Sequence, residues 1–363
     1  MIDRIVRLHK KTNIPPLFGL LCCAALCVLF VIASPTAAQG AKDGLLICAQ
    51  VMIPSLFPFF VLSHLFADIA RQQKPNNHKG LLWRLFRLPP QATGVLLIGF
   101  LGGYPMGAKT AANLLECGRL TQSQAQRLQL FCVNAGPAYL IGVVGSTLLG
   151  SKEAGFLIFA ALFFAGLLIG FATRFLHDTG DASAAASAVR SDAKRKPDEM
   201  LLSAVTHSTG SMLGVCAWVV LFSCLCALLE LLPHAFHPAI PSIGAVLEVS
   251  SGVVRATRTG VALPVLCAVL GWGGLGVHCQ MMGDLRKTGL RLKWFWVSRV
   301  LHGALAAVIC DRLLALFPLD VAAAAMEQTR TLRLWAVSAP AGAAVLLFCA
   351  FLILDLDLNR KMC

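Results

Sequence analysis

Charge is scarce in this chain: 13% of its 363 residues are charged, against 57% hydrophobic. A soluble domain is about a quarter charged, so the deficit argues against an ordinary globular enzyme or nucleic-acid module and for a chain that meets lipid. Catalytic signatures are missing too, with no phosphate loop ending in Gly-Lys-Ser/Thr, no HExxH and no GxSxG. Ser63-His64 is the nearest nucleophile and base, and adjacent helical residues point about 100° apart. The expectation is a protein that is not an enzyme. The fourteen cysteines lie mostly inside apolar runs (Cys22, Cys23, Cys27, Cys224, Cys226), without paired CxxC spacing or a His cluster. They behave as small hydrophobes, so neither a metal site nor a cofactor is expected.

What the chain does have is apolar windows of bilayer length, at Leu17 to Ile32, Leu45 to Ile69, Leu130 to Gly150, Ala154 to Leu176, Met212 to Leu232, Val261 to Met282, Trp294 to Phe317 and Leu332 to Leu354. These predict an all-α polytopic membrane protein with about eight transmembrane helices. The +13 net charge sits in short polar segments between the spans. Lys and Arg enrich cytoplasmic loops, which places the N-terminal cluster (Arg4, Arg7, Lys10, Lys11), the Arg71 to Arg87 loop and the Arg190 to Lys196 loop in the cytoplasm and the Pro233 to Ser242 loop outside. The basic start, the first apolar run and SPTAA at Ser34 to Ala38 imitate a secretory signal; a retained first helix is the alternative.

One segment cannot be a plain spanning helix. Gly94 to Gly107, GVLLIGFLGGYPMG, is apolar but interrupted by five glycines and a proline. Irregular backbone at membrane depth survives only inside protein or against a water-filled cavity, and such breaks often build transporter sites. The polar stretch His177 to Glu199 divides the chain into a first membrane half (1–176, broken segment 94–108), a cytoplasmic linker (177–199) and a second membrane half (200–363, broken segment 271–280). FLGG at Phe100 to Gly103 and GWGG at Gly271 to Gly274 suggest an internal repeat: Arg127 follows Gly103 by 24 residues and Arg299 follows Gly274 by 25. An inverted repeat would put Lys109 to Arg127 and Gly283 to Lys293 on opposite sides of the membrane, yet both stretches are basic in the cytoplasmic manner.

Polar residues in or beside apolar spans are the site candidates, because their burial is costly. Lys109 follows the broken segment, either as an interfacial lysine or as a cation for an anionic substrate, with Asn113 and Glu116 on its helical face. Asn134, in CVNAGP, precedes a Gly-Pro break that frees carbonyls. Ser55 lies between Pro54 and Pro58, where the helix must kink or unwind. Glu248, in LEVSSG, is either a surface residue paired with Arg255 or a coupling carboxylate for H⁺ or Na⁺. His278 and Gln280 follow GWGGLG, and Arg299 with His302 either meets Asp284 or reaches the interface.

Taken in order, DGLLICAQVMIPSLFPFFVLS (Asp43 to Ser63), GFLGGYPMGAK (Gly99 to Lys109), RLQLFCVNAGPAYLIGVVG (Arg127 to Gly145), LEVSSG (Leu247 to Gly252) and GWGGLGVHCQ (Gly271 to Gln280) resemble the YlbJ-type sporulation integral membrane proteins. Those proteins carry the Gate domain shared with nucleoside transporters. Val133-Asn134-Ala135 keeps one amide where that family tends to show two, and Gly276 stands where it tends to show Ser. The resemblance implies a retained first helix, a multi-pass protein of the cell membrane, and transport of a small anionic solute like dipicolinate. Half-helix N-termini at the breaks suit an anion; Ser55, Gly103, Tyr104, Lys109, Asn134, Gly274 and Gln280 are the expected substrate residues and Glu248 the coupling residue. A nucleoside-type carrier and a non-transporting scaffold of spore assembly are the alternatives. Expected partners are the solute, membrane lipid and a second copy in a homo-oligomer, with no nucleic acid.

Overall fold

The computed structural model describes residues 16–72, 81–175, 196–233 and 240–319. Every element among them is helical: α1 Pro16–Ile32, α2 Ser34–Ile47, α3 Ile53–Gln72, α4 Leu81–Phe86, α5 Ala92–Leu101, α6 Met106–Glu116, α7 Gln122–Phe131, a π-helix Ala138–Leu148, α8 Lys152–Thr173, α9 Pro197–Leu229, α10 Ile240–Leu247, α11 Val249–Arg258, α12 Leu263–Trp272, α13 Gly274–Thr288 and α14 Leu292–Leu316.

Three helices are long and apolar enough to cross a membrane among the described residues: α8, α9, and α12 with α13 counted together. The pair Cys23–Ile32 and Ser34–Met52, bent by 94°, makes a fourth if taken as one span. The other expected windows take the following forms. The first apolar window turns sharply at Ala33, and SPTAA opens α2 with Pro35 in its first turn. The Leu130 to Gly150 window stops being helical after Phe131 and resumes as an 11-residue π-helix. Trp294 to Phe317 falls in α14, 25 residues long but carrying Lys293, Arg299, Asp311 and Arg312. Leu332 to Leu354, like linker residues 177–195, lies outside the described residues.

Helices apolar on every side are buried or face lipid, and here one helix does both. Ala161, Leu162 and Ala165 of α8 are buried while Phe156, Phe164 and Leu168 are exposed. The same split runs along α14, with Phe295, His302 and Ala306 inside and Val297, Val300 and Leu301 outside. Membrane-exposed apolar faces of this kind mark an integral membrane protein. Residues of both halves share the largest core, where Tyr139, Leu140 and Leu162 meet Leu266, Leu270 and Phe295. At another seam α2 lies almost backbone to backbone on α9, since a Cβ at Gly40 would stand 2.7 Å from Ala227 Cβ and one at Gly44 2.9 Å from Val220 Cα.

The IPSLFPFF stretch neither unwinds nor stops. The chain passes from α2 through a five-residue π turn, Cys48–Met52, directly into α3, with Pro58 inside the helix. A π turn absorbs the hydrogen bond that Pro54 cannot donate. The two basic polar stretches lie against each other: Gln126 Nε2 donates to the Thr288 carbonyl at 2.9 Å, and Thr288 Oγ1 donates to Gln129 Oε1 at 2.6 Å. Strict inversion would separate them, so their shared charge reflects a shared location.

Candidate functional site

Four interruptions of helix converge inside the bundle. The first separates α5 from α6 at Gly102 to Pro105, where Gly103 takes φ +86°; that left-handed backbone strongly favours glycine. The second separates α7 from the π-helix at Cys132 to Pro137, the third is Glu248 between α10 and α11, and the fourth is Gly273 between α12 and α13 at φ +84°. They touch one another. A Cβ at Gly136 would lie 3.0 Å from Gly103 N, one at Gly273 3.1 Å from Tyr104 Cε1, and one at Gly274 2.8 Å from Val249 N.

Side chains stitch the breaks across the two halves by capping backbone. Tyr104 OH donates to the Leu270 carbonyl, and Trp272 Nε1 donates to Val246 O at 3.1 Å. Arg299, 1% exposed, is a cation aimed at carbonyls: its guanidinium donates to Val133 O and, at 2.5 Å, to Leu130 O. The Leu130 carbonyl lies in the last turn of α7, the negative pole of that helix, and Val133 lies in the break just beyond it. Arg299 thus reaches neither Asp284 nor the interface. His302 faces Leu162 O at 2.9 Å and Gly271 O at 3.2 Å, binding the end of α12 to α8. His278 is a packing residue in an aromatic box of Trp272, Phe295 and Trp296, its Nε2 donating to Trp272 O at 2.8 Å.

The breaks enclose a cavity of about 30 Å³ lined by Gly103, Tyr104, Gly136, Glu248, Ser250 and Gln280 among polar or backbone groups, with Met52, Leu56, Val215 and Val277 on its apolar sides. That space holds about two waters. Sites for ring-sized ligands run to roughly 300 Å³ or more, so the pocket in this conformation is too small for one.

Of the expected site residues, Gly103, Tyr104, Gln280 and Glu248 meet in this lining. Asn134 sits one residue outside it, buried, donating through Nδ2 to Phe131 O at 2.9 Å with its Oδ1 unpartnered. Gly274 contributes the close contact with Val249 rather than a surface. Lys109 points away from the lining: it donates to Ser211 Oγ on α9 and stands 5.7 Å from the Phe60 ring. Ser55 lies on α3 beside the lining residue Leu56, and its side chain is not among those described.

Glu248 corrects the surface reading. It is 4% exposed and caps α11, Oε1 accepting from Ser250 N at 2.9 Å and Oε2 from Ser251 N at 2.6 Å. A carboxylate on a helix N-terminus is held by two amides and the helix dipole. Arg255 pairs instead with Glu230 at 2.6 Å. Two groups escaped the sequence reading. One is Gln129, fully buried, whose Nε2 donates to Ala108 O and Asp284 O, both at 3.3 Å. The other is the carbonyl-capping role of Arg299; an arginine mid-span was the available signal, its target was not. Among the described residues no group of three or more His, Cys, Asp or Glu is arranged to hold a metal.

The exposed apolar faces and buried breaks define an all-helical integral membrane protein whose irregular backbone is gathered around an internal pocket. The chain is 28% identical, over 323 aligned residues covering 77% of it and 78% of its relative, to the sporulation integral membrane protein YlbJ of Bacillus subtilis (strain 168). No family model matches the chain, and no solved structure matches it.

Proposed function

We propose that this chain is a transporter of the cell membrane, N-terminus in the cytoplasm, that moves a small solute through the pocket between the four breaks, and that it serves sporulation as its relative's name indicates. The observation carrying the reading is the convergence itself: four interruptions, costly in a membrane protein, surround one cavity with a carboxylate and an amide in its wall. A scaffold has no need to bury Glu248 or to face Gln280 inward.

The solute is a dipicolinate-like acid on the resemblance of the motifs. Among the described residues the lining holds Glu248 and no Lys or Arg, so an anion enters favourably only with Glu248 neutralised. That gives Glu248 its coupling role, with a proton or Na⁺ accompanying the solute; Tyr104 offers a ring to stack on. The same cation-free lining favours a neutral solute, which keeps a nucleoside-type carrier as the second reading.

Liposomes containing the purified protein decide between them by counterflow of labelled dipicolinate and labelled uridine, with Gln280→Ala and Glu248→Gln alongside. Dipicolinate exchange that persists in Glu248→Gln, whose neutral amide stands for the neutralised carboxylate, with ion-coupled uptake lost, is the expected result. Uridine exchange alone establishes the nucleoside reading. Absence of both fluxes from folded protein overturns transport of these solutes and favours the scaffold.

A further inference from the structure

We propose that the pocket opens to one side of the membrane along the seam between α6 and α13, and that matched charges on these two helices hold the seam shut. The inference rests on the transport reading, because a pocket of about 30 Å³ must open before any solute larger than water enters.

Both helices start at the pocket, α6 just after the Gly103 break and α13 at Gly274, and they run outward together. Their polar residues fall on one face of each at the same spacing. Lys109, Asn113 and Glu116 on α6 stand at i, i+4 and i+7; Gln280, Asp284 and Lys287 on α13 do likewise. The register is complementary. Gln280 lines the pocket at the inner end, and Lys287 pairs with Glu116 at 3.0 Å at the outer end. That outer pair is about half exposed, 48% and 47%, so the stripe leads from the cavity wall to the surface. Polar faces hydrate when parted, whereas an interlocked apolar seam would expose hydrocarbon.

Hinges lie where a swinging α13 needs them. Gly273 and Gly274 at its head and Gly289 at its tail all have positive φ. Gly283, midway along, has nothing within 4 Å of where a Cβ would stand. What holds α13 at its outer end is the buried amide Gln129, joined to Thr288 Oγ1 and Asp284 O as well as to Ala108 O of α6. Swinging α13 away exchanges those bonds for water at an already polar end.

The test is access to the pocket. Ser250→Cys places a thiol in the lining, far in sequence from Cys226 and Cys267, so its alkylation by a membrane-impermeant maleimide is readable by peptide mass spectrometry in sealed liposomes. Lys287→Glu, facing Glu116, should raise the alkylation rate from one side only, about three- to tenfold for an exposed pair turned repulsive. The charge swap Glu116→Lys with Lys287→Glu should bring the rate back to within about twofold of the parent. Equal rates in all variants, or a swap that leaves the rate of the single variant unchanged, overturn the seam. Counterflow on the same liposomes separates the readings: flux with flat rates removes the seam and keeps transport, while rising rates without flux keep the seam and remove transport.

Discussion

The two arms that leave the pocket, α6 and α13, differ in how tightly their backbones are held. A Cβ at Gly107, in the first turn of α6, would fall 1.7 Å from the Cys132 carbonyl, and one at Gly99 on α5 2.5 Å from the same atom. The first broken unit is clamped on the second break, backbone against backbone. In α13 only the head is close to its neighbours, a Cβ at Gly274 standing 2.8 Å from Val249 N; beyond it Gly276 would meet Phe222 only at 3.4 Å and Gly283 meets nothing. The clamp of the second unit lies instead on its inner arm, where a Cβ at Gly271 of α12 would stand 2.5 Å from Gly303 Cα of α14. Clamped α5, α6 and α12 make the wall, and α13 is the part with room to move.

Substitution sharpens that contrast, most strongly at the clamp. Gly107→Ala forces the Cys132 backbone aside and should cost about 3 kcal/mol or more, whereas Gly283→Ala should stabilise by roughly 0.5–1 kcal/mol through helix propensity. Unfolding in mixed micelles reads both, and equal effects would erase the distinction between the arms. Arg299→Met leaves Leu130 O and Val133 O unpaired beside the second break and should cost roughly 3 kcal/mol. Arg299→Lys, a point charge without a fork, should recover less than half of that by the same unfolding measurement.

Glu248→Ala removes the α11 cap and should cost about 1–2 kcal/mol, with Glu248→Gln near half that because one acceptor remains. If Glu248 is only a cap, flux tracks stability; the transport account predicts ion-coupled uptake lost in Glu248→Gln, with exchange retained, at a temperature where the protein is folded. The smallest effect belongs to Arg255→Ala. Its partner Glu230 is 52% exposed, so under about 1 kcal/mol should be lost. A larger loss in unfolding experiments would mean that Arg255 serves Glu248 after all.

The breaks were legible in the sequence because glycine pairs and Pro105 leave local marks, and Gly103, Tyr104, Glu248 and Gln280 could be picked out as polar or flexible groups within apolar runs. What they face was not legible. Arg299 finds its carbonyls 166 and 169 residues back along the chain, and Lys109 finds Ser211 102 residues ahead; no local pattern encodes such distances. The interruptions of the spans were hidden for another reason. A hydropathy window averages over a break, so the sharp turn at Ala33 and the Cys132 to Pro137 interruption disappear into runs that look continuous. The cap at Glu248 was not legible because Glu is not among the favoured capping residues, although VSS after it supplies the amides.

The central claim, that a solute occupies the cavity between the breaks, is tested most directly by protection. Ser250→Cys protein in liposomes is alkylated with and without saturating dipicolinate, and separately with uridine, under conditions where exchange of that solute is measured in parallel. The account predicts that the exchanged solute slows alkylation of this cysteine. An unchanged rate while the solute is being exchanged would place the pathway somewhere other than this pocket.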